Sequence, residues 1–221
     1  MNGDKLRKIG ILGGTFDPVH TAHLMIADHA ASDLSLDQVY LMPTGKSPHK
    51  NEASITPIMH RVNMLELAIA GNPKLALSTF ELEDPEISYT YRTAERLSTA
   101  FPDTDFYYIM GADSLIHFRD WVHPEIISRH FRLAVAVRDG ADSADLLSLA
   151  ADYDRLFQTK ISVLSVPNFS ISSTDIRNRI AKGLSVRYLT PDPVIEYLKA
   201  HRLYGSAKAE ENGGIVGCKS S

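Results

Sequence analysis

Apolar and β-branched residues gather in six short runs along the chain, at residues 8–12, 38–42, 75–78, 105–110, 132–137 and 161–166. Each run is compact enough for a strand buried on both faces. Between them lie longer stretches, 22–32, 58–70, 90–100, 144–157 and 174–182, whose apolar positions recur every three or four residues. That spacing puts one apolar stripe on a helix, which then needs a sheet to cover it. Strand and helix alternate. The pattern predicts a doubly wound α/β domain with an open, mainly parallel sheet and helices on both faces, because parallel neighbours need crossover connections. Segments 172–182 and 191–199 open on hydroxyl residues before Asp175, or on Pro191 followed by Asp192. Both are good helix starts and predict a small helical C-terminal subregion.

Composition changes this picture only at its edges. With 221 residues and 44% hydrophobic content, the chain can bury a substantial core and fits one large domain, residues 1–205, better than two small ones. Residues 206–221 carry almost no large apolar side chains and are expected to form a disordered tail. A net charge of −4 argues against a surface dedicated to nucleic acid, so a polyanionic ligand must meet a local positive site. Cys218 is the only cysteine, which excludes an internal disulfide and a cysteine metal cluster. A reducing, cytoplasmic setting is the expectation. The first apolar run is too brief for a signal-peptide core or a membrane span, so no membrane partner is expected. Homo-oligomerisation is left open.

The chemistry concentrates just after the first strand, in Gly13-Gly14-Thr15-Phe16-Asp17-Pro18-Val19-His20-Thr21-Ala22-His23. Ligands of open α/β sheets bind outside the carboxyl ends of the strands, where this segment falls. The glycines let backbone approach a ligand, and Thr15 adds a hydroxyl. His20 and His23, three apart, face one side if they open the following helix. Two imidazoles beside the N–H groups and positive dipole end of a helix start make a phosphate site even in an acidic protein. Attack on a phosphorus builds charge on its oxygens and on the leaving group, which such donors stabilise without a covalent intermediate. The segment matches neither the glycine-lysine-serine/threonine loop nor G-x-G-x-x-G. Taken singly, the glycines read as a turn and the histidines as surface residues. Zinc also fits the histidine spacing, but only Asp17 and Asp28 lie near as carboxylates, and no protein metal ligand is assigned.

Residues 13–24 resemble the signature of the H-x-G-H nucleotidyl-transferases, and the fold expected is Rossmann-like. Over nearly all of residues 7–205 the chain more specifically resembles bacterial nicotinate-nucleotide adenylyltransferase. The narrower likeness rests on the run ending Ser47-Pro48-His49-Lys50, on His60-Arg61 with Met64-Leu65, and on Ser88-Tyr89-Thr90. It continues through Gly111-Ala112-Asp113-Ser114-Leu115, Trp121 with Pro124-Glu125, Ile171-Ser172-Ser173-Thr174-Asp175-Ile176-Arg177, and the closing residues 197–204. Two positions depart from the family pattern: Ala22 stands where glycine is usual between the histidines, and Ser47 where proline is common.

The resemblance implies transfer of AMP from ATP to nicotinate mononucleotide, and the chemistry of the triphosphate leads us to expect Mg²⁺ with the ATP. It implies that Gly13, Gly14, Thr15, Phe16, His20 and His23 hold ATP, with the two histidines supporting the transition state. Ser172, Ser173, Thr174 and Arg177 would form a second ATP segment; locally, the hydroxyls also suit a helix cap. For the acceptor, the resemblance implies stacking by Trp121, a backbone N–H near Thr90 for the nicotinate carboxylate, and a contact from Asp113. Trp121 also suits plain packing, and Asp113 a cap for the helix containing Leu115. Lys46, His49 and Lys50 would close over the phosphates from a proline-bounded loop that reads equally as solvated, and Arg138 would add charge. Magnesium bridging triphosphate oxygens keeps much of its water and needs no protein cage. The alternatives are nicotinamide mononucleotide or phosphopantetheine as acceptor, and a nucleotide-binding regulator without catalysis.

Overall fold

The computed structural model describes residues 6–45, 55–84, 88–138, 143–167 and 170–205. The six expected strands are all present, as β1 (Arg7–Gly14), β2 (Gln38–Pro43), β3 (Leu75–Leu77), β4 (Thr104–Gly111), β5 (Phe131–Arg138) and β6 (Ile161–Val166). They form one sheet in the order β3-β2-β1-β4-β5-β6. Every pairing is parallel. This is the doubly wound Rossmann order, whose direction of winding reverses between β1 and β4.

The six expected helices are α1 (Thr21–Asp33), α2 (Ile58–Ile69), α3 (Thr90–Ala100), α6 (Ser143–Phe157), α7 (Ser173–Ala181) and α8 (Asp192–Ala200). Two more, α4 (Ala112–Ile116) and α5 (Pro124–His130), lie between β4 and β5. Neither is long enough to show a helical period in the sequence. Among the described residues, no helix is long and apolar enough to cross a membrane.

Alternation along the strands builds two cores. On one face, Leu12 of β1, Tyr107 and Ile109 of β4 and Ala134 of β5 pack with α1, α2, α7 and α8. On the other, Ile9, Ile11, Phe106, Met110, Leu133 and Val135 pack with α3 to α6. Helix α1 buries only alanines in its middle, Ala27, Ala30 and Ala31. Opposite lies Gly10, where an added Cβ would stand 2.9 Å from side-chain carbons of Ile109, Leu36 and Val39. The small buried side chains of α1 let it sit close to the sheet, with its start at the carboxyl end of β1.

Candidate active site

Strand β1 leaves its two neighbours at different points. Its pairing with β4 ends at Leu12 and Ile109, whereas its pairing with β2 continues to Gly14 and Pro43. A crevice therefore opens at Gly13, at the switch point where doubly wound sheets take their ligands. The two glycines have steric reasons to be there. A Cβ on Gly13 would stand 3.3 Å from the Tyr108 hydroxyl, and one on Gly14 about as close, at 3.2 Å, to the Phe16 ring.

His20 is the N-cap of α1, and His23 lies in its first turn. Their rings stack, with centroids 3.6 Å apart and planes 17° from parallel. The His20 N–H donates to Nδ1 of His23 at 3.3 Å, so a neutral His23 carries its proton on Nε2. His20 is buried, and among the described residues its Nδ1 has no hydrogen-bond partner. Burial lowers the His20 pKa to about 4. Burial, and then the neighbouring His20, hold His23 well below the usual imidazole range. Both rings are neutral at pH 7, and an anion placed beside them would draw protons onto them.

The helix start offers fewer free donors than the sequence led us to expect. The Thr21 N–H donates to the Leu189 carbonyl at 2.9 Å, and those of His23 and Leu24 return to the His20 carbonyl. Among the described residues, only the Ala22 N–H of that turn has no such acceptor. Ala22 itself lines the cleft, so its methyl faces whatever the cleft holds. Phe16 is left with its backbone, not its ring, to meet a ligand. Its side chain is 2% exposed and meets His23 edge-on at 4.9 Å, so the ring buttresses His23 from within the core.

The second segment arrives as expected but is already engaged. Ser172 caps α7 by accepting from the Asp175 N–H at 3.1 Å, and the Ser173 hydroxyl donates to the Pro18 carbonyl at 2.9 Å. Arg177 donates to the Asp17 carbonyl at 2.7 Å and to the Thr174 hydroxyl at 3.3 Å. These bonds fasten α7 to the histidine segment. Ser172 and Ser173 line a cleft of about 500 Å³ together with His20, His23, Gly111 and Asp113. Asp113 does not cap α4, since that place belongs to Gly111; its carboxylate lies exposed in the first turn. It shares the cleft with the histidines, while Thr90 and Trp121 lie outside that lining.

Thr90 and Trp121 stand on the other face of the sheet. Thr90 is the first residue of α3, a position whose N–H has no partner within the helix. Trp121 is half-buried against Phe118 at 5.6 Å and Tyr108 at 6.0 Å, so the packing role is real and part of the indole remains accessible. Lys46, His49, Lys50 and Ser47 lie outside the described residues. The backbone of Arg138 ends β5 beside Val166. The tail expected at residues 206–221 is likewise outside the described residues.

Several supporting residues carried no expected role. Arg61 is buried and donates to the carbonyls of Thr15, Thr44 and Thr56 at 2.9, 2.9 and 3.0 Å, gathering the ends of β1 and β2. The Tyr204 hydroxyl donates to Asp17 at 2.5 Å, and the Thr56 N–H donates to the other carboxylate oxygen. Their only sequence signal is that they lie within segments of family likeness. Nothing in a linear pattern shows that positions so far apart meet.

The fold and the cleft define a nucleotide-binding α/β protein whose site lies at the carboxyl ends of the strands, with paired histidines on a helix start. The family model described as cytidylyltransferase-like matches residues 11–179. The sequence is 42% identical over 200 residues to a Synechococcus protein named probable nicotinate-nucleotide adenylyltransferase, covering 90% of this chain and 95% of the relative. It is 35% identical to a protein of the same name from Lachnoclostridium phytofermentans, covering 90% of this chain and all of that one. The chain belongs to the nicotinate-nucleotide adenylyltransferases of the cytidylyltransferase-like family. In fold it is similar to Plasmodium falciparum nicotinic acid mononucleotide adenylyltransferase complexed with NaAD, with a TM-score of 0.74 and 22% identity over 90% of this chain and 97% of that one.

Proposed function

We propose that the protein transfers AMP from ATP to nicotinate mononucleotide, giving nicotinate adenine dinucleotide and pyrophosphate. The observation that carries this reading is the stacked pair His20 and His23 at the start of α1, in a cleft shared with the two α7 serines. A phosphate oxygen of the acceptor attacks the α-phosphorus of ATP in line, one P–O bond forms, and the bond to pyrophosphate breaks. Charge builds on the α-phosphate oxygens and on the leaving group. His23 offers Nε2–H to that charge. His20 lines the same cleft and would offer its other ring nitrogen, Nε2, to a phosphate oxygen. Both rings then gain charge where the reaction needs it, without a covalent intermediate.

The remaining assignments are proposed on the family resemblance. Gly13, Gly14, Thr15 and Ala22 offer backbone to the phosphates, and Ser172, Ser173, Thr174 and Arg177 complete the ATP side. The start of α3 at Thr90 suits the acceptor's carboxylate, since helix starts favour anions. Trp121 offers a face to the pyridine ring, with Asp113 reaching toward the acceptor from the cleft. Lys46, His49, Lys50 and Arg138 are proposed to add charge at the phosphates. Magnesium is proposed to enter with ATP. Among the described residues no group of three His, Asp, Glu or Cys side chains is placed to hold a metal. An ion bound by triphosphate and water would neutralise the phosphate oxygens without a protein cage. A cytoplasmic location is proposed on the lone cysteine.

Pyrophosphate release is the test, with purified protein, ATP and Mg²⁺ and each of nicotinate mononucleotide, nicotinamide mononucleotide and phosphopantetheine. Release with the nicotinate acceptor is expected, at a higher kcat/KM than with the amide; no release with either pyridine nucleotide overturns the reading. His23→Ala should bind the acceptor and turn over at least about a hundredfold more slowly, as loss of a transition-state donor does.

A further inference from the structure

Tyr108 sits in the middle of β4, in a run that reads from sequence as buried strand, yet its hydroxyl lies where three elements of the site converge. The Thr90 hydroxyl, at the start of α3, is a hydrogen-bond partner of the phenol hydroxyl. The same oxygen would stand 3.3 Å from a Cβ on Gly13, at the point where β1 leaves β4. The ring is edge-on to Trp121, with centroids 6.0 Å apart at 85°, and lies parallel to the buried Phe131 ring behind it, at 5.9 Å and 4°. One side chain thus lies beside the crevice at Gly13, the helix start and the indole.

We infer that Tyr108 is a positioning and specificity-determining residue for the acceptor, fixing the start of α3 relative to Trp121. The inference rests on the acceptor site proposed above. A pyridine carboxylate differs from the amide only at one substituent, so discrimination depends on holding the helix-start donor at a set distance from the stacking face. A hydrogen bond with Thr90 and an aromatic edge contact to Trp121, both made by one rigid side chain on a central strand, provide that fixed distance. Burial pushes the phenol up to about 12, so the hydroxyl keeps its proton throughout the working range and the link does not titrate.

The test is Tyr108→Phe, which keeps the ring and its packing and removes the hydroxyl alone. The KM for nicotinate mononucleotide should rise about tenfold, the size of one lost hydrogen bond, while the KM for ATP and kcat stay within about twofold. The ratio of kcat/KM for acid over amide should fall by a similar factor. Phe131→Leu serves as the packing control: it should lower the melting temperature and leave that ratio unchanged. An unchanged acceptor KM in Tyr108→Phe, an equal rise in both KM values, or the same loss of discrimination in Phe131→Leu overturns the inference while the reaction stands. A wild-type protein that releases no pyrophosphate with nicotinate mononucleotide overturns the reaction itself, and the inference with it.

Discussion

The Tyr204 hydroxyl donates to the Asp17 carboxylate at 2.5 Å, joining positions 187 apart in the chain. Asp17 stands three residues before His20, so the last described turn of the chain holds the segment that carries the histidine pair. The same aspartate takes the Thr56 N–H on its side chain and Arg177 on its backbone carbonyl. Tyr204→Phe should cost about 1.5–3 kcal/mol of stability, the range for a hydrogen bond to a charged group. Urea denaturation measures that loss. In the pyrophosphate assay kcat should fall as well, because the segment before His20 loses a tether. A stability unchanged within error would mean that the bond is not made in solution.

Arg61 is the other fastener of that segment, with three carbonyl partners and almost no exposure. Lysine has one donor group in place of a planar fork and cannot reach Thr15, Thr44 and Thr56 together. Arg61→Lys should therefore lose at least one of these part-buried hydrogen bonds and cost about 1–3 kcal/mol. A denaturant midpoint equal to wild type would show that the three bonds are dispensable.

The histidine pair makes stability fall on the acid side. Burial depresses both imidazoles, His20 to about 4. Above pH 6.5 neither the native nor the unfolded form binds these protons, and nothing changes. Below 6.5 the unfolded chain takes up protons that native His20 refuses until about pH 4, so stability is lost as pH falls through that window. Denaturation midpoints between pH 7.5 and 4.5 should show this slope, and His20→Asn should reduce it by about one proton. ATP binding has the opposite linkage. Phosphate beside the rings raises their pKa, so ATP should bind more tightly at pH 6 than at pH 8, with proton uptake measurable by calorimetry in buffers of different ionisation enthalpy.

Glu81 offers a carboxylate that the fold keeps costly. Burial raises its pKa, against the hydrogen bonds from Thr93 and Ser88 and the charge of Arg96. A raised carboxyl pKa means that stability is highest below the ordinary value and declines as pH rises through it toward the folded value. Glutamine keeps an oxygen for the Thr93 hydroxyl, which donates to Glu81 at 2.9 Å, and cannot ionise. Glu81→Gln should melt higher than wild type at pH 7.5, with the difference vanishing near pH 4. A lower melting temperature at pH 7.5 would show that the charge is favourable where it stands.

Ala22 separates the two histidines and lines the cleft. Glycine there costs helix stability, about 0.5–1 kcal/mol by general propensity, and frees the space of one methyl beside the Ala22 N–H. Ala22→Gly should therefore melt slightly lower and bind ATP at least as well. A weaker ATP affinity would mean that the methyl packs favourably on the nucleotide.

Periodicity in the linear chain was enough to specify the doubly wound sheet, because every strand from β1 to β6 is a compact apolar run and each long helix repeats its apolar residues at helical spacing. The pair His20 and His23 was legible for the same reason, since a separation of three on a helix start places both rings together whatever the rest of the fold does. Tertiary structure alone decided which donors near them remain open: Leu189 takes the Thr21 N–H, Pro18 accepts from Ser173, and Phe16 turns inward beneath His23. It also decided that Tyr108 meets both Thr90 and Trp121, and that Tyr204 meets Asp17. Local sequence sets the conformation of a segment through its own sterics and hydrogen bonding. Contacts between segments far apart exist only once the sheet order and the helix packing have brought their ends together.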